Sequence, residues 1–190
     1  MTNLNLYVLD IETTHLVPES GQIVEVGVAR VDLERMKVYP EYGRVVHCLL
    51  DDKERNSWVF QHTDLTPEEV EASPNTAWSV SNDLTWHFFM KGIFTSYYEG
   101  FDFKWLSEKW NICPNLTLDI LDMVEEDCGE RLHAEDAYRI YCPGNPARLP
   151  DLKEDHRALS DAVMEAYILL ALCRKDGAYK RKIMDDLVRE

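Results

Sequence analysis

Residues Leu4 to Ile11 constrain this chain more than any other stretch. Side chains of an extended backbone alternate between two faces. Leu6 and Val8 therefore fall on one face, Leu9 and Ile11 on the other. A segment apolar on both faces is a central strand, covered above and below. The same stretch carries Asp10 and, two residues on, Glu12, which share one face. Two neighbouring carboxylates on a central strand are costly to bury unless a cation neutralises them. Their hard oxygens suit a divalent metal. A strand that ends at Asp10 would leave both acids solvated, and the pair alone does not decide between the two.

The rest of the chain surrounds that strand with strands first and helices later. After the turn Pro18-Glu19-Ser20-Gly21, a Val-rich strand is expected over Ile23–Val31 and a third over Arg44–Leu50, forming an antiparallel meander. Thr66-Pro67-Glu68-Glu69 is a capping box with Pro at the first helical position. A helix is expected over Thr76–Met90, a strand over Ile93–Tyr98, and a helix over Phe101–Trp110. A short strand over Leu116–Asp119 and a helix over Ile120–Cys128 follow. The clearest helix runs from about Asp155 to Lys175, with Leu159, Ala162, Val163, Ala166, Leu169, Leu170 and Cys173 at helical spacing. Arg174-Lys175 suit its negative end, and Gly177 follows. This order predicts an α/β sandwich around a mixed sheet. At 190 residues, 45% of them hydrophobic, one domain over 1–190 is expected, its core over about 4–174.

Charge and cysteine content narrow the function classes. The net charge of −15 excludes a basic nucleic-acid coat, so any contact with phosphate is local or made through cations. Five cysteines without a paired spacing argue against a disulfide framework or zinc knuckle, and predict reduced, mostly buried thiols in a cytoplasmic protein. The N-terminus is not a signal peptide, and no apolar run approaches the roughly 20 residues of a membrane helix.

Three more residues stand where chemistry is possible. Asp102 follows Gly100-Phe101 at a strand-to-helix junction, the carboxyl edge of a sheet where α/β sites lie. A plain helix N-cap explains it equally. His156 and Asp161 open the last long helix. Five residues apart on a helix they diverge by roughly 140°, and they converge only if His156 precedes the helix start. Asp161 lies on the polar side of the apolar stripe, so periodicity alone predicts a solvated side chain, and His156 alone reads as an exposed histidine.

Together, "DIETTH" on the first strand, "FD" before the mid-chain helix and "HRALSDA" at the last helix resemble the three motifs of the DEDDh 3′–5′ exonuclease family. "QHTDLTPEEVEASP" is similar to that family's segment after the third strand. The resemblance implies a ribonuclease-H-like fold, a mixed five-stranded sheet of three antiparallel and two parallel strands flanked by helices. It implies two divalent cations, Mg²⁺ or Mn²⁺, with Asp10 bridging them, Glu12 and Asp161 completing the first site, and Asp102 joining through water. His156 would take the proton from the attacking water, and nucleoside 5′-monophosphates would leave a 3′ end. Thr13, Thr14, His15, Leu16 and Phe101 would contact the terminal nucleotides, Leu16 as a wedge and Phe101 against the sugar.

Two positions depart from the family pattern. His15 stands where a Gly often follows the Thr pair, and Tyr97-Tyr98 stand where His-Asn often precede the motif II acid. His15 could stack on a base or fill space, and Tyr98 could stack a base or pack in the core. Trp58, Trp78, Trp86, Trp105 and Trp110 could offer stacking surfaces, though core positions are the default for most of them. Lys104, Lys153 and Arg157 lie near the motifs, while the C-terminal basic cluster reads as a solvated helical face. The expected substrate is a single-stranded 3′ end, DNA slightly ahead of RNA, with RNA trimming or short-oligonucleotide degradation as the alternative. A free-standing enzyme is expected, since no long tail follows the last helix; a protein partner or homodimer stays open. The rival of another class is a non-catalytic nucleic-acid-binding or polymerase-associated module that kept the fold.

Overall fold

A computed structural model describes residues 5–144 and 157–188. Four strands form one sheet in the order β3-β2-β1-β4. They are β1 (Asn5–Thr13), β2 (Ile23–Asp32), β3 (Lys37–Val45) and β4 (Gly92–Thr95). β1 pairs antiparallel with β2 and parallel with β4, and β2 pairs antiparallel with β3. The sheet is mixed, as predicted. The fifth position is only a parallel bridge from Phe94 to Leu116, among the described residues. Phe94 N–H donates to Asn115 and Thr117 N–H to Phe94, so the segment pairs as a strand would but is too short to be one.

Eight α-helices follow among the described residues: α1 (Trp58–His62), α2 (Pro67–Ala72), α3 (Ala77–Asp83), α4 (Glu99–Trp110), α5 (Ile120–Cys128), α6 (Ala134–Tyr141), α7 (Ala158–Lys175) and α8 (Gly177–Asp186). No helix of the described residues is long and apolar enough to cross a membrane.

β1 is central, and its alternation divides the core. Leu6 and Val8 join the layer beneath α5 to α8, while Tyr7, Leu9 and Ile11 join the layer beneath α3 and α4. Asp10 and Glu12 have the parity of Leu6 and Val8, so they face the α7 side. A smaller cluster of Val24, Val59, Leu65 and Val70 anchors α1 and α2.

Several expectations shift. The third strand is Lys37–Val45, not 44–50, because the hairpin turns earlier, at Met36 with φ 54°. β3 is an edge strand with an exposed pattern and Pro40 beside a register shift, a placement that tolerates a residue without an N–H. Val46 N–H still donates to Val24 of β2, and the chain then peels away: His47 N–H donates to Asn75. The helix expected over 76–90 is α3, then a π turn over Leu84–Phe88 and a 3₁₀ turn over Phe89–Lys91. Gly177 does not end the helical region; it starts α8, capped by Asp176, which accepts from Ala178 N–H at 2.7 Å. Of the cysteines, which are all free thiols, only Cys173 is buried. Trp105 is fully buried, but Trp58, Trp78 and Trp86 are exposed, so core use fails for three of the five tryptophans.

Candidate active site

The site lies where the carboxyl ends of β1 and β4 meet the start of α7. Two glycines determine how close that helix comes. Gly27 on β2 is the register partner of Asp10, and Gly43 on β3 is the partner of Gly27. A Cβ on Gly27 would stand 2.1 Å from the backbone oxygen of Ala158, and one on Gly43 would stand 3.0 Å from the Leu159 side chain. The first turn of α7 thus rests directly on the strand beside Asp10. Asp161, in that turn, reaches the two acids of β1.

Asp10, Glu12 and Asp161 each offer a carboxylate oxygen, and these oxygens lie within 4.8 Å of one another. Asp161 is 8% exposed, against the solvated side chain its periodicity predicts. The reason is that α7 is covered on almost every side: it touches β1, β2 and β3 on one side and α5, α6 and α8 on others. Asp102 lies in the first turn of α4, just after β4, and is also buried. It is not one of the three converging acids.

Burial and mutual repulsion act on all these groups. Burial, then the charges of Glu165, Asp102, Glu12 and Asp161, holds the Asp10 carboxyl well above the ordinary carboxylate range. Glu12 is raised by burial and by Asp161, Glu25 and Asp102, with Arg157 opposing. Asp102 is pushed up to about 7, chiefly by burial, with the Ser96 hydroxyl and the backbone of Ile11 pulling the other way. Asp10 Oδ2 is buried with no hydrogen-bond partner among the described residues. An orphaned carboxylate oxygen among acids that resist ionisation is what a divalent cation would satisfy, and the all-oxygen donor set matches Mg²⁺ or Mn²⁺. The residues fit the group.

A second set of contacts fixes the frame. Glu25, opposite Glu12 on β2, would repel it, but Arg157 neutralises Glu25 with Nε and Nη2 at 2.7–3.0 Å. Glu25 also accepts the Ala158 N–H at 3.2 Å, so it caps α7. Arg157 reaches Glu69 of α2 as well, at 3.2 Å. Thr66 caps α2 by accepting from Glu69 N–H, as the capping box predicts. His156, the expected proton acceptor, and Lys153 lie outside the described residues.

The acids open into a cavity of about 590 Å³. Thr13, Thr14, His15, Leu16 and Phe101 all line it, as does Asp161. Thr14 is buried and accepts from Gln22 N–H at 2.9 Å, while Thr13 Oγ1 donates to the His15 carbonyl at 2.8 Å, so both hydroxyls order the turn. Leu16 is 81% exposed at the rim. His15 Nδ1 accepts from Val17 N–H at 3.3 Å. Tyr98 is exposed, not core, with the Arg131 guanidinium 5.7 Å from its ring.

Trp58, one of the five tryptophans that could offer a stacking surface, lines the cavity too, together with residues that the sequence does not single out, among them Lys53, His133 and Glu165. Trp58 stacks on His62 at 4.6 Å and keeps over half its surface exposed. Lys53 is the sole Lys or Arg among the described lining residues. Glu165 carries a legible signal, since it follows Asp161 by four residues and so shares its helix face. Lys53 and His133 come from a turn and a loop with no periodic pattern, and nothing in the sequence marks them.

The exonuclease family model matches residues 7–169. No curated protein matches the chain by sequence. In fold the chain is similar to Exonuclease X in complex with 5′ overhanging duplex DNA, at TM-score 0.65 and 19% identity, over 96% of this chain and 99% of that one. It is similar to E. coli Exonuclease I in complex with a dA16 oligonucleotide, at TM-score 0.64 and 16% identity, over 93% of this chain but 42% of that one. Cell-death related nuclease 4 aligns at TM-score 0.65 and 13% identity, over 92% of this chain and 65% of that one.

Proposed function

Because this chain belongs to the exonuclease family, as a DEDDh-type 3′–5′ exonuclease of ribonuclease-H-like fold, we propose that it removes nucleotides from single-stranded 3′ ends by divalent-cation-dependent hydrolysis. The observation that carries this reading is the convergence of Asp10, Glu12 and Asp161 within 4.8 Å at the head of a 590 Å³ cavity. DNA is the favoured substrate, since Exonuclease X and Exonuclease I are described bound to DNA.

Asp10, Glu12, Asp102 and Asp161 would hold two cations, Mg²⁺ or Mn²⁺. Bound there, the cations supply Lewis-acid stabilisation of charge on the attacking and leaving oxygens. The chain's own residues do the rest. His156 accepts the proton of the attacking water, in the pH range where a histidine exchanges protons. As the new P–O bond forms, the bond from phosphorus to the 3′ oxygen of the preceding nucleotide breaks. The products are a nucleoside 5′-monophosphate and a strand one residue shorter with a free 3′-hydroxyl. Trp58 gives the cavity an exposed aromatic face on which an unstacked base can rest, worth about 1–3 kcal/mol, while Leu16 serves as a wedge between terminal bases and Phe101 flanks the terminal sugar. Lys53 supplies a local cation for the backbone phosphate, which the overall charge of −15 does not.

The test is a time course on 5′-labelled single-stranded DNA and RNA of one sequence, each with Mg²⁺, Mn²⁺ or chelator. A ladder that shortens one residue at a time from the 3′ end, needs the cation and runs faster on DNA is the expected result. Internal cleavage, or no shortening of either strand with cation present, would overturn the reading.

A further inference from the structure

The reaction above leaves one buried carboxylate without a role. Glu165 sits on α7 one turn beyond Asp161. It is 5% exposed and lines the same cavity as Asp10, Glu12 and Asp161. The backbone N–H of Tyr97 donates to its Oε2 at 3.2 Å. Among the described residues no Lys or Arg forms an ion pair with it. Of the surrounding charges, that of Glu165 acts most strongly on Asp10.

A charge is not needed for the Tyr97 contact. Any acceptor of similar length would satisfy that N–H, and a glutamine would do so without an ionisable group. Burying an unpaired carboxylate beside other acids costs several kcal/mol unless a counter-charge offsets it. A bound divalent cation is usually the largest local charge in such a site and inverts that cost. The contact itself has a geometric consequence. Tyr97 lies in the turn between β4 and α4, just ahead of Asp102, and Glu165 lies on the helix that carries Asp161. One side chain therefore joins the two segments that deliver two of the site's acids.

We propose that Glu165 is a positioning residue of the cation site. It ties the Tyr97 turn to the Asp161 helix and, as a further buried acid on the cavity wall, raises divalent-cation affinity from outside the ligand set. This rests on the reading of the cavity as a cation-dependent exonuclease centre.

The test is Mn²⁺ titration by calorimetry, with thermal unfolding in chelator and in saturating Mn²⁺. The proteins are the wild type, Glu165→Gln and Glu165→Leu. Glu165→Gln keeps an acceptor for Tyr97 and removes the charge. It is expected to bind Mn²⁺ about tenfold to a hundredfold more weakly, as losses around a ligand set usually do. Its Tm in chelator should equal or exceed that of the wild type, so that the rise on adding Mn²⁺ shrinks. Glu165→Leu, which removes the acceptor too, should lose both affinity and Tm in chelator. Wild-type Mn²⁺ affinity in Glu165→Gln would overturn the proposal and leave the exonuclease reading standing. A fall in its Tm in chelator would mark a merely structural role and overturn it equally. Absence of Mn²⁺ binding by the wild type would overturn the cation reading and this proposal together.

Discussion

Glu99 and Asp102 lie in the first turn of α4, and burial acts on both carboxyls. Asp102 is pushed up to about 7, and Glu99 to about 8, the latter by burial and then by the charges of Asp119 and Asp122. In the unfolded chain such groups ionise near their ordinary values of 3.8 and 4.5. Between those values and about pH 8, the folded protein holds protons that the unfolded chain has released. Stability therefore falls as pH rises through this window. In chelator, Tm is expected to drop by several degrees between about pH 5 and about pH 8.5, at roughly 2–4 °C per kcal/mol for a chain of this size. Differential scanning calorimetry checks this, and a Tm that stays flat or rises across the window would contradict it. Adding Mg²⁺ should flatten the slope, because the cation takes over the role of the protons.

At the scale of elements, the contact that matters most is α7 on β2. A Cβ at Gly27 would meet the Ala158 carbonyl carbon at 2.2 Å and the Leu159 nitrogen at 2.3 Å, all backbone that cannot rotate aside. Gly27→Ala must therefore push the helix off the strand. The expected cost lies at or above the top of the roughly 1–3 kcal/mol typical of overpacking. Because the same turn carries Asp161, Mn²⁺ affinity should fall with it. Urea unfolding with an unchanged midpoint would show that the helix is not held this closely. This contact also explains what the sequence conceals. The two-faced apolar pattern of β1 is legible, and so is the helix of 158–175, because both are long and periodic. The placement of β3 is not, because an edge strand is half solvated and loses its alternation. The burial of Asp161 is not either: a helix period reports one apolar stripe, whereas α7 is enclosed by a sheet and three helices.

Across the whole molecule, a net charge of −15 means that the long-range field does not gather nucleic acid. In the proposed function, recognition is left to one cavity, to Lys53 at its wall and to the cations its acids would hold. The acids of the candidate site are mostly legible from sequence, since Asp10 and Glu12 share a strand face and Asp102 stands at a strand-to-helix junction. Glu165 is legible only once Asp161 is known to face inward. Lys53 is not, because it belongs to a short turn, and the exposure of Trp58 is not, because the five residues of α1 are too few to carry a periodic pattern. The acids themselves carry the proposed reaction. Its most direct test is mononucleotide release from single-stranded DNA with Mg²⁺, comparing the wild type with Asp10→Asn, which preserves shape and removes one charge from the crowded cluster. The predicted result is a loss of about a thousandfold, roughly 4 kcal/mol of transition-state stabilisation, with a Tm in chelator no lower than that of the wild type. Release at near-wild-type rate by Asp10→Asn would contradict it.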